Sequence, residues 1–228
     1  MPSLILVTAA DAGYFELLSG LLTSIEAQRE GRDLALGIFD LGLSREQRDW
    51  VDQRAAAVVE PGWDLEVPAA LRREQPHLRS LTVRPFLPRY FPGHDTYLWV
   101  DADIWLQDWR AISLLARGAA QGCLTASTHT DRAYPVRADV LNFRRQQFRS
   151  GYGKNLADLL FLQQHVNAGI FALPQTSPLW NDWAAAFQEG IDGSEGSMVN
   201  DQVAQNVACF RQRQAMQLLP AVFNWQCH

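Results

Sequence analysis

The sequence predicts an α/β fold: one domain with a mainly parallel central sheet. Three observations carry this. Short apolar β-like runs alternate with amphipathic stretches along the whole chain, the β-α-β-α order that builds such sheets. The run Tyr97-Leu98-Trp99-Val100 is apolar at every position, as a strand covered on both faces must be. It ends on Asp101-Ala102-Asp103, which puts two carboxylates at the strand's C-terminal end, where ligands bind in open α/β sheets.

In chain order, residues 4–8 read as the first strand and Ala9-Ala10-Asp11-Ala12-Gly13 as a loop with no bulk to block a ligand. Tyr14, Leu17, Leu18, Leu21, Leu22 and Ile25 share one helical stripe, predicting a helix over 14–30 that Gly31 stops. A second strand is expected over 34–41. Ser44 and Gln47 stand at capping-box spacing before a helix over 45–57, and 57–59 makes a short third strand. Residues 61–76 read as irregular. Pro85 and Pro88 break any simple helix over 78–90, with Pro85 in a first turn and Arg84 just outside it.

After the Asp-x-Asp strand come a helix over 109–120 and a strand over 123–127. The stretch 131–155 is polar and carries Arg132, Arg137, Arg144, Arg145 and Arg149. It reads as a solvated helical face, with an acceptor or anion site as the alternative. A short helix over 156–164 follows. Then comes a strand over 166–173, interrupted at Asn167-Ala168-Gly169 and stopped by Pro174. A helix over 177–189 carries Trp180, Trp183 and Phe187 on one side. A loop over 190–196, a helix over 199–212 opening on Asn200-Asp201-Gln202, a strand over 216–219 and an ordered tail over 223–228 complete the chain. No repeat or linker divides it, so a single domain over 1–228 is expected.

The 228 residues suffice for a large core, and 47% hydrophobic against 20% charged residues marks a globular chain. A net charge of −5 argues against a nucleic-acid partner. Cys123, Cys209 and Cys227 are few, odd in number and in no metal-ligand spacing, which suits a reducing compartment. The start, Met1 to Val7, reads as a strand rather than a signal peptide, and no run is long enough to span a membrane. A cytoplasmic protein is expected.

Two charges at the exit of a buried strand need something positive to meet them. A divalent cation holding a diphosphate is one answer; arginine is the other. Asp101 and Asp103 share a face because residues i and i+2 of a strand do, while Ala102 points into packing. Mg²⁺ and Mn²⁺ are typically held by one or two carboxylates plus phosphate oxygens and water. Two rivals also fit parts of the pattern. A dehalogenase-type phosphatase ends its first strand in Asp-x-Asp, but wants Thr or Val where Trp105 stands. A nucleotidyltransferase wants a Gly-rich, Arg-bearing loop where Ala9 to Gly13 has neither.

Five stretches in order resemble the GT-A nucleotide-sugar glycosyltransferases, and within them family 8, the retaining group that includes bacterial galactosyltransferases and glycogenin. Val7-Thr8-Ala9-Ala10-Asp11 with Tyr14 is similar to that family's first strand and base-binding loop. Arg84 is placed like its donor-contacting basic residue, and Tyr97 to Asp103 like its metal motif. His165-Val166-Asn167-Ala168-Gly169-Ile170-Phe171 is similar to its Asn-Ala-Gly strand, and Asn200-Asp201-Gln202 to its Asp-Gln helix start.

The resemblance implies a GT-A fold, a UDP-sugar donor, a carbohydrate or other hydroxyl acceptor, and Mn²⁺ or Mg²⁺. It implies donor contacts from Thr8, Ala9, Ala10, Asp11, Arg84, Asp101, Ala102, Asn167, Ala168 and Gly169. Asp201 would touch the donor sugar, and Gln202 would lie near the anomeric carbon. Each residue also has a plainer use: Asp11 in a turn, Arg84 at the surface, Asn167 in a bulge, Asp201 at a helix start. The family continues into a His-x-x-Gly-x-x-Lys-Pro segment that closes over the diphosphate and supplies a third metal ligand. Here the sequence ends at Cys227-His228, so the closing segment is missing and His228 is the candidate stand-in. His129 and Asp131 fall where an acceptor cleft would lie. The alternative from another class is a non-catalytic module that binds a sugar nucleotide.

Overall fold

A computed structural model describes residues 3–132, 134, 137–194 and 200–225. One seven-stranded sheet runs through it in the order β3-β2-β1-β4-β6-β5-β7. The strands are β1 (Leu4–Ala10), β2 (Ala35–Asp40), β3 (Ala57–Val59), β4 (Thr96–Val100), β5 (Leu124–Thr128), β6 (Val166–Pro174) and β7 (Met216–Leu219). β6 runs antiparallel to both its neighbours, β4 and β5; the other pairings are parallel.

The helices are α1 (Phe15–Glu26), α2 (Arg45–Asp52), α3 (Ala69–Glu74), α4 (Arg79–Thr82), α5 (Leu87–Tyr90), α6 (Arg110–Ala120), α7 (Ala138–Leu160), α8 (Leu179–Gly193) and α9 (Asp201–Gln212). Strand alternation divides the core in two. Ile5, Val7, Tyr97 and Trp99 face α7, α8 and α9, whose Phe148, Trp183, Phe187 and Val207 meet them. Leu6, Leu98 and Val100 face the other way, onto Leu18, Leu22 and Ile25 of α1 and Leu115 of α6.

Several boundaries differ from the expectation for identifiable reasons. α1 stops at Glu26, and Gly31 lies in a 3₁₀ turn where an added Cβ would stand 2.1 Å from the Ile25 carbonyl oxygen. Close packing, not a left-handed cap, therefore explains that glycine. The capping box forms: Gln47 N–H reaches Ser44 Oγ at 3.3 Å and Ser44 N–H reaches Gln47 Oε1 at 2.8 Å, although α2 ends at Asp52. The proline-rich stretch becomes a chain of one-turn helices. Pro76, Pro85 and Pro88 each fall in a first turn, where a missing N–H costs nothing. The helix pair expected over 131–164 is present within α7, which Gly153 (φ 78°, ψ 171°) breaks into two helices. α8 runs on to Gly193 through residues read as loop.

β6 is continuous in backbone; it is the ladder that breaks. Pairing with β4 ends at Ile170↔Val100, and the register with β5 shifts between Ala126 and Thr128. Asn167, Ala168 and Gly169 thus lie outside the regular ladder, and neighbouring side chains bond to them.

His165, just before β6, is 4% exposed and donates from Nε2–H to the Leu160 carbonyl at 2.8 Å. Burial pushes its imidazole down to about 4, and the charges of Arg144 and His129 add to that. Above the ordinary histidine value of 6.5 the ring is neutral whether folded or not. Below it the unfolded chain takes a proton that the folded one refuses, so stability is lost between about pH 6.5 and 4. Unfolding of His165→Phe and the parent chain in urea at pH 7.5 and 5 is expected to show the stability gap shift by about 2 kcal/mol in the variant's favour at the lower pH. An unchanged gap would mean that the ring titrates normally.

Candidate functional site

The C-terminal ends of β1 and β4 open into a cleft of about 450 Å³. Ala9, Ala10 and Asp11 form one wall. Pairing between β1 and β4 stops at Val7↔Trp99, so β1 beyond Val7 has no β4 partner. Small side chains keep that wall low. His77, Ser80 and Arg84 from the one-turn helices line the cleft from another side, and Trp99, Asp101 and Asp103 complete it.

Arg84 organises the charge. Its guanidinium bonds Asp101 Oδ1 at 2.7 Å, Asp201 Oδ2 at 2.7 Å and the Ala168 carbonyl at 3.0 Å, and its Nε reaches the Ser80 carbonyl at 3.3 Å. It also stacks over the Trp99 ring, 4.5 Å from the centroid. The Trp99 indole N–H bonds Asp101 Oδ1 at 2.8 Å. Arg84 and Asp201 are nearly sealed, their side chains 8% and 5% exposed, whereas Asp101 keeps 33% at the cleft. Burial pushes the Asp101 carboxyl up to about 6, against the pull of Arg84 and the indole; the Asp201 and Asp103 charges push the same way as burial.

One guanidinium faces three carboxylates here, leaving a local excess of two negative charges. Asp101 Oδ2 makes no bond among the described residues, and neither does the exposed Asp103 carboxylate. These two donors fit a divalent cation of the Mg²⁺ or Mn²⁺ kind, which takes one or two carboxylates from the protein and the rest from phosphate and water. No group of three His, Cys, Asp or Glu side chains is poised to enclose a metal among the described residues, so a fully protein-made site is not formed by them. His228 lies outside the described residues.

The other expected contacts divide between cleft and scaffold. Asp11 lines the cleft, but its Oδ1 accepts the Gly13 and Tyr14 N–H groups at 2.9 and 3.0 Å, shaping the turn. Thr8 is fully buried one strand position inside the wall and offers no surface to a ligand. The small loop expected over 9–13 begins later, because Ala9 and Ala10 belong to β1. Ala102 is buried, but β4 ends at Val100 and residues 101–104 form a turn closed by Ile104 N–H on the Asp101 carbonyl, so strand alternation does not place Asp101 and Asp103 as expected. Asn167 Oδ1 accepts Gly169 N–H at 2.7 Å, and Gly169 carbonyl accepts Asp101 N–H at 2.8 Å. A Cβ on Gly169 would stand 2.7 Å from Asp101 Oδ2, so the close approach expected there is to the carboxylate itself.

Asp201 spends its carboxylate on Arg84. Gln202 Oε1 accepts Ala168 N–H at 3.1 Å. Arg84 and Gln202 thus hold the two polar groups of one residue, Ala168. Gln202 faces a second, smaller cavity, which His129 also lines. Asp131 Oδ2 accepts Ala221 N–H at 3.0 Å and so ties down the C-terminal turn. One residue escaped the sequence reading: Trp99 had a signal, since it shares a strand face with Asp101. Arg144, 8% exposed on α7, departs from the solvated face expected over 131–155, a stretch for which an acceptor or anion site is the alternative.

No protein-family profile and no curated protein sequence matches the chain. Solved structures match its fold. A galactosyltransferase LgtC, solved with donor and acceptor sugar analogs, is 18% identical with a TM-score of 0.60, over 95% of this chain and 73% of that one. Core-mannan synthase A from Aspergillus fumigatus, in a Mn/GDP form, is 10% identical with a TM-score of 0.56, over 92% and 70%. The mannosyltransferase Ktr4p from S. cerevisiae is 8% identical with a TM-score of 0.61, over 96% and 68%. The chain has the GT-A fold. Among the described residues no helix is long and apolar enough to cross a membrane.

Proposed function

We propose that this chain is a metal-dependent glycosyltransferase that moves a hexose from a UDP-sugar to an acceptor hydroxyl, with retention, as a single cytoplasmic domain. The observation that carries the reading is the carboxylate pair just past β4, Asp101 held by Arg84 and Asp103 unbonded among the described residues, in a cleft whose opposite wall is the stripped end of β1. Likeness in fold to enzymes solved with sugar analogs or with Mn and GDP supports it. The cysteine pattern supports the reducing compartment.

Each residue has a task that follows from its place. Ala9 and Ala10 leave room for a nucleobase, and the free side of Asp11 faces the same space. Arg84 and the Trp99 indole hold Asp101 by Oδ1, which leaves Oδ2 uncommitted among the described residues. A divalent cation held by Asp101 and Asp103 would offset the charge that develops on the departing diphosphate. Gln202 is an amide, and its oxygen is committed to Ala168, so it is no nucleophile. The reading is therefore front-face transfer. The anomeric carbon–phosphate oxygen bond breaks, and the acceptor oxygen bonds the anomeric carbon from the same side. The acceptor's proton passes to a phosphate oxygen of the leaving diphosphate.

The test is nucleotide release. With Mn²⁺, the protein should release UDP from UDP-glucose or UDP-galactose in the presence of a suitable hydroxyl acceptor and stop when the metal is chelated. NMR should show the transferred anomer retained. Metal-dependent UDP binding with no release for any donor would make the chain a binding module. Release from GDP-mannose alone would replace the uridine assignment. No binding of any sugar nucleotide would end the reading.

A further inference from the structure

Arg144 is a buried cation with no hydrogen bond or ion pair to any described residue. A guanidinium does not give up its proton in a protein, so it stays charged, and a buried charge without a partner is costly. Burial pulls its proton affinity down, and no carboxylate among the described residues opposes the pull. The side chain lines a cavity of about 50 Å³ between α7 and α9, closed by His129 and His165, with no Asp or Glu among the described residues that line it. That is room for a few waters or one carboxylate-sized group.

The amides around the cavity are oriented by their outer bonds. Asn200 Oδ1 caps α9 by accepting Val203 N–H at 2.8 Å, so its Nδ2 is the atom that meets Gln147, at 3.2 Å, and the Gln147 atom there must be the oxygen. Ala168 N–H can only donate, so the Gln202 atom it meets is likewise the oxygen. Asn206 is closed at both ends. Its Oδ1 takes Val166 N–H, and its Nδ2 serves the Val166 and Gln202 carbonyls. What remains unspent is a guanidinium, the NH₂ groups of Gln147 and Gln202, and the Nδ1 lone pair of His165, whose ring proton is on Nε2. Three donor groups, one of them charged, stand against that single acceptor in this cavity. An acceptor-only anion matches it, and a planar carboxylate matches the guanidinium fork with two parallel bonds.

We propose that this cavity is a carboxylate subsite and that the sugar handled by the protein carries a carboxylate, as a uronic acid does. The assignment of that sugar to donor or acceptor rests on the transferase reading; the anion site itself does not. Ala168 links the walls of the two cavities, its carbonyl held by Arg84 of the first cleft and its N–H by Gln202 of the second cavity.

Thermal shift on the full chain, in buffer free of carboxylates and phosphate, tests it with glucuronate, glucose and inorganic phosphate as probes. Glucuronate should raise the melting temperature by at least about 2 °C at a concentration where glucose and phosphate do not. Arg144→Met should abolish that response and, by removing an unpaired charge, melt roughly 2–4 °C above the parent without ligand. Equal responses to glucuronate and glucose overturn the proposal, as do equal responses to glucuronate and phosphate, or a glucuronate shift that survives in Arg144→Met. These comparisons hold on the parent protein even if the variant does not fold. UDP-glucuronate outperforming UDP-glucose with Mn²⁺ would place the carboxylate on the donor. A glucuronate shift added to that of Mn²⁺ and UDP would place it on the acceptor. If Mn²⁺ with UDP shifts neither protein while glucuronate still shifts the parent, the transferase reading fails and the carboxylate site stands.

Discussion

Arg84→Met is expected to destabilise the protein by roughly 3–5 kcal/mol, the cost of leaving a buried carboxylate without its partner. Asp201 would keep its charge in a position 5% exposed, and the Ala168 carbonyl would lose a charged donor. Asp101, more exposed, would lose less. In a chain of this size that loss lowers the melting temperature by about 6–20 °C. The double variant Arg84→Met/Asp201→Asn separates repulsion from lost packing: with the stranded charge gone, a substantial part of the loss should return. Thermal melts of the two variants and of Asp201→Asn alone complete the cycle. An Arg84→Met protein that melts within 2 °C of the parent would show that Asp201 finds solvent or a proton cheaply, and that the clamp has little structural weight.

That clamp also marks where reading the sequence stopped working. Asp101, Asp103, Ala9, Ala10 and Asp11 were visible because each sits at or just past the end of an apolar run, and apolar runs locate strands. What joins them was not visible. Arg84 and Asp201 meet across 117 positions of chain, and nothing local to either announces the other. Asn167 and Gln202 have amides suited to sugar hydroxyls, yet their oxygens hold β6 where its ladder breaks. That break arises from a register shift between strands, which composition does not encode. The antiparallel direction of β6 was hidden for the same reason, since a strand covered on both faces looks alike in either direction. Arg144 could not be singled out from the other arginines of 131–155, because arginines between polar neighbours read as solvent-facing; the packing of α9 against α7 distinguishes it. The one-turn helices over 76–90 are shorter than the window that detects a helical stripe, so their prolines dominated.

Asp103 is the cleaner probe of chemistry because the fold does not use it. It is exposed and makes no hydrogen bond or ion pair among the described residues, so Asp103→Asn should melt within about 2 °C of the parent without metal. Asp101 cannot be tested so simply, since its Oδ1 is shared by Arg84 and Trp99, and any change there disturbs the clamp as well. If Asp103 contributes one of only two protein oxygens to a divalent cation, an amide in its place removes charge where the diphosphate must be neutralised. UDP release with Mn²⁺ should then fall at least about 100-fold, and higher metal concentration should recover part of it. The shift in melting temperature produced by Mn²⁺ with UDP should shrink in parallel, while any shift produced by UDP without metal should stay. A variant with the parent's metal dependence would remove Asp103 from the metal site. An unfolded variant would show that the carboxylate carries a structural bond which its exposed position does not suggest.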